Sequence, residues 1–169
     1  MNLIESKIKQ NYGWSPKEIY KRCVFKEIKN KTVCLANLTS EGEYKQKLYL
    51  FTEKDNVIKN PIQIEGVVEY KHYGEVFKIT NFFIDNNISN QLNYIVTSLL
   101  LLDDYCKKND YKIIKGKINT KSNATLLKNL DLDGFEFAIN EKNEIVFEKE
   151  FGVKEQIHTR EVQENERGF

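Results

Sequence analysis

Apolar side chains recur with two different periods along this chain, and the places where the period changes decide what it can fold into. Between Thr32 and Ile84 they alternate with polar residues, as strands with one buried face require. The segments Thr32–Thr39, Lys47–Thr52, Ile62–Tyr70 and Val76–Ile84 predict four strands in an antiparallel meander. Ser40-Glu41-Gly42-Glu43 and Lys71-His72-Tyr73-Gly74-Glu75 supply turns, and the polar run Glu53–Pro61, ending in Asn-Pro, predicts a loop. From Leu92 the spacing becomes three and four. Leu92, Ile95, Val96, Leu99, Leu100 and Cys106 share one side of a helix over about 90–109, widened by Leu101 and Leu102. Lys107-Lys108 at its end complement the helix dipole. A strand over Tyr111–Ile118 follows. Ser122 then caps a second helix with Ala124, Leu126, Leu127 and Leu130, stopped by Asp133-Gly134, and Phe135–Ile139 and Glu144–Phe147 pair as a hairpin.

Ahead of the meander, Ser15-Pro16-Lys17-Glu18 joins a capping serine, a proline suited to the first helical position and the acid of a capping box. With Ile19, Tyr20, Cys23, Val24 and Ile28 at helical spacing, it predicts a helix over 16–28. Residues 1–14 are polar, with Leu3, Ile4, Ile8 and Trp14 as scattered anchors. After Phe151-Gly152 the chain turns polar. The expected organisation is a single domain over 1–153 with an N-terminal helix, and a tail over 154–169 ordered only against a partner. The fold class is α/β: a mixed, mostly antiparallel sheet of six to eight strands flanked by helices. The strands before and after the long helix should be parallel neighbours joined by a right-handed crossover. A helix that starts where a strand ends offers unpaired N–H groups to an anion.

Composition excludes several classes. Lys and Arg total 26 against 25 Asp and Glu, a net charge of +1, which argues against a dedicated duplex-DNA binder. No apolar run approaches the length of a transmembrane helix, and the N-terminus carries an early acid in place of a secretory apolar stretch. Cys23, Cys34 and Cys106 have no metal-binding spacing and read as free thiols of a reducing cytosol, so the expected location is cytoplasmic. His72 and His158 stand at no ligand spacing, and no metal site is expected.

Residues 75–150 resemble the acyl-CoA-dependent N-acetyltransferases of the GNAT superfamily. The resemblance rests on Phe82-Phe83-Ile84-Asp85, on the long helix ending Asp104-Tyr105-Cys106-Lys107-Lys108-Asn109-Asp110, on Lys112–Ile118, and on Ser122–Glu136 with its Asn-containing helix followed by Gly134-Phe135. It implies acetyl-CoA as cofactor. The pyrophosphate would be held by the turn that opens the long helix, and the pantetheine arm would lie between splayed parallel strands. A tyrosine on the next helix would protonate the thiolate, and a carboxylate or water would serve as base. Carried onto this chain, the cofactor-binding residues are Phe83, Ile84, Asn90, Gln91, Leu92, Asn93, Tyr94, Ile95 and Asn123. The chain departs from the family in three places. The phosphate turn Asn90–Ile95 has no glycine, so Asn93 would have to adopt the left-handed backbone and the β-branched Ile95 would obstruct a pyrophosphate. Leu130 stands at the tyrosine position. Thr39–Lys47 is a short turn where the family has two helices that wall the acceptor site.

Glu75 and Asp85 flank the fourth strand as candidate bases, or serve as exposed turn acids. Asn123 beside Ser122 either contacts a cofactor or caps its helix. Tyr70, Tyr73, Phe77, Phe82 and Phe83 form a binding platform or pack the sheet. The three departures together favour a GNAT-like domain that has lost the acetyl-CoA motif, needs no cofactor, and binds a protein partner. The alternative is an active acetyl-CoA-dependent N-acyltransferase acting on an amine of a small molecule or protein. A nucleic-acid-associated module comes third, on the eight Lys or Arg against three Glu in residues 1–31.

Overall fold

A computed structural model describes residues 2–71, 74–85, 87, 91–119 and 134–151. Its framework is an eight-stranded sheet in the order β1-β2-β3-β4-β5-β6-β8-β7. The strands are β1 (Cys23–Ile28), β2 (Lys31–Asn37), β3 (Gln46–Lys54), β4 (Val57–Lys71), β5 (Gly74–Ile84), β6 (Ile113–Asn119), β7 (Glu136–Ile139) and β8 (Glu144–Glu150). Every neighbouring pair is antiparallel except β5 and β6, which run parallel on either side of helix α3 (Gln91–Lys108). The mixed sheet, the meander and the parallel crossover all match the sequence reading. The helix after Ser122, with Asn123 and Leu130, lies outside the described residues, as do His72, Asn90 and the segment 154–169.

The N-terminal third differs from expectation. The helix predicted over 16–28 ends early: α2 is Pro16–Arg22, and Cys23 begins β1. Cys23 and Val24 go to opposite faces of the sheet, an alternation that a helix would not give. The turn Lys29-Asn30, with both residues at positive φ (51° and 65°), then folds β1 onto β2. Ser15 caps α2 as expected, its Oγ accepting from the Glu18 amide at 3.2 Å. The Glu18 carboxylate instead accepts from Arg22 Nε at 2.6 Å, one turn along. Residues 3–12 form a helix, α1 (Leu3–Tyr12), that the sparse apolar pattern had hidden. Ile4 and Ile8, one turn apart, bury 99% and 98% of their surface, and Asn2 caps the helix by accepting from the Glu5 amide. The polar run Glu53–Pro61 is no loop. Asp55 and Asn56 both take positive φ (53° and 63°) and make a two-residue hairpin, so β3 and β4 continue on either side. Pro61 is tolerated because the β3–β4 register slips between Leu50 and Thr52 at that level.

The two faces of the sheet carry separate cores. Leu35, Leu48, Leu50, Ile62, Ile64 and Phe77 face α3, which contributes Ile95, Leu99, Leu102, Tyr105 and Cys106. The opposite face of β1 and β2 holds Cys23, Cys34 and Ala36 under Ile4, Ile8 and Ile19. Burial raises the pKa of the Cys34 and Cys106 thiols, which makes both poor nucleophiles. The larger core depends on two close approaches. A methyl group at Gly66 would lie 2.7 Å from the Lys78 carbonyl oxygen and 2.7 Å from the Phe77 ring, and one at Gly116 would lie 2.6 Å from the Phe147 ring.

Two outcomes test this packing. Gly66→Ala should lower the unfolding free energy by about 1–3 kcal/mol in urea denaturation, because a backbone oxygen cannot move aside. Gly116→Ala should destabilise as well, since its methyl group would meet the buried Phe147 ring at 2.6 Å and Ile79 Cβ at 3.1 Å. A neutral Gly66→Ala would contradict the described β4–β5 contact. The three cysteines are at most 2% exposed, so the native protein should resist a thiol reagent that labels all of them after unfolding.

Candidate functional site

The parallel ladder is short. β5 and β6 pair at Val76↔Ile113, Phe77↔Ile114, Lys78↔Lys115 and Ile79↔Gly116, and there it stops. Both strands continue: β5 through Thr80 to Ile84, still paired with β4 on its outer side, and β6 through Lys117 to Asn119, still paired with β8. Beyond Ile79 and Gly116 the two inner edges are unpaired among the described residues, and this stretch, closed at the Val76 end and running to Ile84, forms a candidate slot.

One residue causes it. Glu65 pairs with Asn81 and Gly66 with Ile79, which leaves Thr80 unmatched. The bulge bends β5 and increases its twist at the point where the ladder ends. The Thr80 hydroxyl donates to the Glu65 carbonyl at 3.2 Å and holds the bulge. The extra residue also resets the alternation, so that Phe77 and Ile79 before it and Phe82 and Ile84 after it all belong to the core under α3. The closed end is fastened on both sides. The Lys112 amide donates to the Glu75 carbonyl at 2.9 Å, and the Phe151 amide to the Lys112 carbonyl at 2.7 Å. Glu69 on β4 takes Lys71, Lys78 and Lys115 at 3.3, 3.7 and 3.5 Å, so one carboxylate spans both parallel strands. The Lys71 hydrogen bond and the nearby Lys115 and Lys78 charges hold its carboxyl below the usual range. This stabilisation is present above the ordinary carboxylate pKa and is lost as the pH falls through the lowered value.

The structure gathers some of the sequence candidates and separates others. Phe83, 49% exposed, and the half-buried Ile84 lie on the unladdered stretch of β5. Asp85 follows them at the open end. Its amide donates to the Pro61 carbonyl, and its Oδ1 accepts from the Asn87 amide at 2.9 Å, an Asx-type turn. Glu75 sits at the closed end, roughly 30 Å from Asp85 at about 3.3 Å per residue, so these two acids cannot act on one atom. Gln91 and Leu92 open α3, with Asn93, Tyr94 and Ile95 behind them. Asn93 is helical and not left-handed. Ile95 is 2% exposed and packed into the sheet core, so its side chain is turned away from the helix mouth. No acid stands in the first turn of α3, so no carboxylate of that turn offsets the positive end of the helix dipole. Asn90 and Asn123 lie outside the described residues.

Glu65 was missed. Its side chain is 12% exposed and sits level with the bulge, on the face away from α3. It accepts from Asn81 Nδ2 at 3.2 Å and pairs with Lys45 Nζ at 3.4 Å. Two signals mark it in the sequence: an acid beside Gly66 inside a strand, and the broken alternation between Ile79 and Phe82. The tyrosines at the closed end are poor proton donors. Tyr105 accepts from Asn37 Nδ2 at 2.8 Å, and burial pushes its pKa up to about 12. Among the described residues no cluster of His, Cys, Asp and Glu could hold a metal ion, and no helix is long and apolar enough to cross a membrane.

No protein-family model matches the chain, and no curated protein matches it. Solved structures do. A domain from Methanocaldococcus jannaschii is 17% identical over 66% of this chain and 70% of its own, with a TM-score of 0.50. The ribosomal-protein-S5-alanine acetyltransferase of Vibrio fischeri is 10% identical over 75% of this chain and 96% of its own, with a TM-score of 0.52. At these identities the likeness is one of fold. With one parallel pair beside the long helix and β8 inserted between β6 and β7, the chain has the GNAT fold, that of the acyl-CoA-dependent N-acetyltransferases.

Proposed function

We propose that the chain binds acetyl-CoA in the β5–β6 slot and transfers the acyl group to an amine. The observation that carries this reading is the end of the parallel ladder at Ile79 and Gly116. Beyond it, alternate backbone N–H and C=O groups of Thr80–Ile84 and Lys117–Asn119 lack a strand partner among the described residues, and such groups need one when covered. The amide-bearing pantetheine arm of the cofactor supplies complementary groups. The acid-free first turn of α3 suits the phosphates. Acetyl-CoA, when bound, provides an acyl group activated as a thioester. The chain's own part is mainly to position the amine and exclude water. Phe83 offers an apolar surface on the slot strand. Glu65, beside the bulge, is the carboxylate placed to take the amine's proton, with Asn81 and Lys45 orienting it.

A second reading has a specific observation behind it. β2 ends at Asn37 and β3 begins at Gln46 with only a turn between, so no helix pair walls an acceptor site there. In that reading the fold has lost its chemistry and serves as a binding surface for a protein partner.

Acetyl-CoA at about 100 times its Kd should stabilise the fold by about 2.7 kcal/mol and raise the melting temperature accordingly. With a panel of amines, thiol release should be detectable. Glu65→Gln should lower kcat/KM by about 100-fold while leaving acetyl-CoA binding intact. Asp85→Asn should change kcat/KM only a few-fold, since it is engaged in its own turn. No thermal shift and no thiol release across the panel would overturn the transferase reading and leave the interaction reading.

A further inference from the structure

We propose that a second site, outside the slot, binds a phosphate monoester in the hollow between the N-terminal half of α3 and the tips of the β1–β2 and β3–β4 hairpins. The hollow has a volume of ≈ 200 Å³, and Lys29, Lys31, Thr52, Lys54, Asn93 and Thr97 are among the residues that line it. Pockets for drug-sized ligands run to about 300–1,000 Å³, so the occupant is compact.

Two independent observations point to an anion. The first is charge. Lys29, Lys31 and Lys54 are exposed around the rim, and none of them is in an ion pair among the described residues. The antiparallel register that sets Val33 opposite Thr52 brings the Lys31 and Lys54 ends of β2 and β3 together. Glu53 is the one acid in the lining, so the rim carries a surplus of two positive charges. That matches a phosphate monoester, whose second pKa of about 6 leaves it close to dianionic at neutral pH.

The second observation is Thr52, which is 5% exposed. Of the other buried polar residues, Thr39 Oγ1 accepts from the Lys47 amide, the Ser98 hydroxyl donates to the Ile95 carbonyl, and Asp103 Oδ2 accepts from Lys149. Thr52 has no hydrogen-bond partner among the described residues, and it lines the hollow. Its hydroxyl is therefore free to donate to a ligand oxygen in the hollow. Asn93 and Thr97 on α3 add polar groups on the facing wall.

The monoester can come from two sources: a separate phosphorylated molecule, or the ribose phosphate of coenzyme A reaching past the start of α3. The probe is inorganic phosphate, titrated by calorimetry at pH 7.5 against chloride of equal ionic strength. The wild-type protein should bind it saturably. Thr52→Val should weaken binding about tenfold, and Thr52→Ser should restore it. The double variant Lys31→Gln/Lys54→Gln, at exposed positions that do not threaten folding, should weaken it by more than tenfold. Competition by coenzyme A but not by dephospho-coenzyme A would assign the site to the cofactor, and competition by neither would assign it to a separate ligand. No binding beyond the chloride control, or equal binding by the wild type and the lysine variant, would overturn the proposal. Acetyl-CoA binding at the slot is a separate readout and can survive that failure.

Discussion

Thr80 is one residue too many for the strand opposite it, and the rest of the site follows from that mismatch. A straight β5 could extend the parallel ladder to the end of β6. With the bulge, β5 turns away after Ile79, and the two inner edges beyond it are unpaired among the described residues. The cost of those unpaired groups is carried by the surroundings. β4 and β8 stay paired along the outer edges on both sides of the bulge, and Glu69 clamps the ladder from one face. The α3 core clamps them from the other. A ladder that is tight at one end and absent at the other suits the proposed cofactor slot: rigid edges with free backbone groups.

The same bulge explains why the core survives it. An inserted residue reverses the facing of every side chain beyond it. The sequence compensates by breaking its own alternation, with Phe77 and Ile79 on one side of the insertion and Phe82 and Ile84 on the other, so the apolar set stays beneath α3. Gly66 and Gly116 complete the adjustment. Each gives up its side chain so that a phenyl ring, Phe77 or Phe147, can lie over the backbone beside the last parallel rung.

Much of this was legible in the residues. Strand alternation between Thr32 and Ile84 and the helical spacing from Leu92 to Cys106 carry strong periods, and they gave the meander, the long helix and the parallel crossover. What escaped was short or locally ambiguous. Cys23, Val24 and Ile28 fit a helix as well as a strand when read forward from the Ser15 cap, and only pairing with β2 decides between them. Asp55-Asn56 lies in a polar run, and a two-residue hairpin is hard to tell from a loop when its flanks are polar as well. In α1 only Ile4 and Ile8 face the core, too few to mark a period. Phe83 and Ile84 lie on the unladdered stretch of β5, and Gln91 and Leu92 open α3. Glu65 did not stand out, because its role depends on a bulge in the neighbouring strand. Glu75 drew notice by its place next to a turn, which the fold sets at the closed end.

The account rests on β5 and β6 parting after Ile79, and backbone amide hydrogen exchange followed residue by residue reads this directly. A strand paired on both sides protects every amide, whereas one paired on a single side protects alternate amides. Slow exchange should run unbroken through Val76–Ile79 and Ile113–Gly116, with alternate fast amides in Thr80–Ile84 and Lys117–Asn119 that become slow when acetyl-CoA is added. Uniformly slow exchange along both strands without ligand would mean that the strands are zipped throughout, and the slot would not exist.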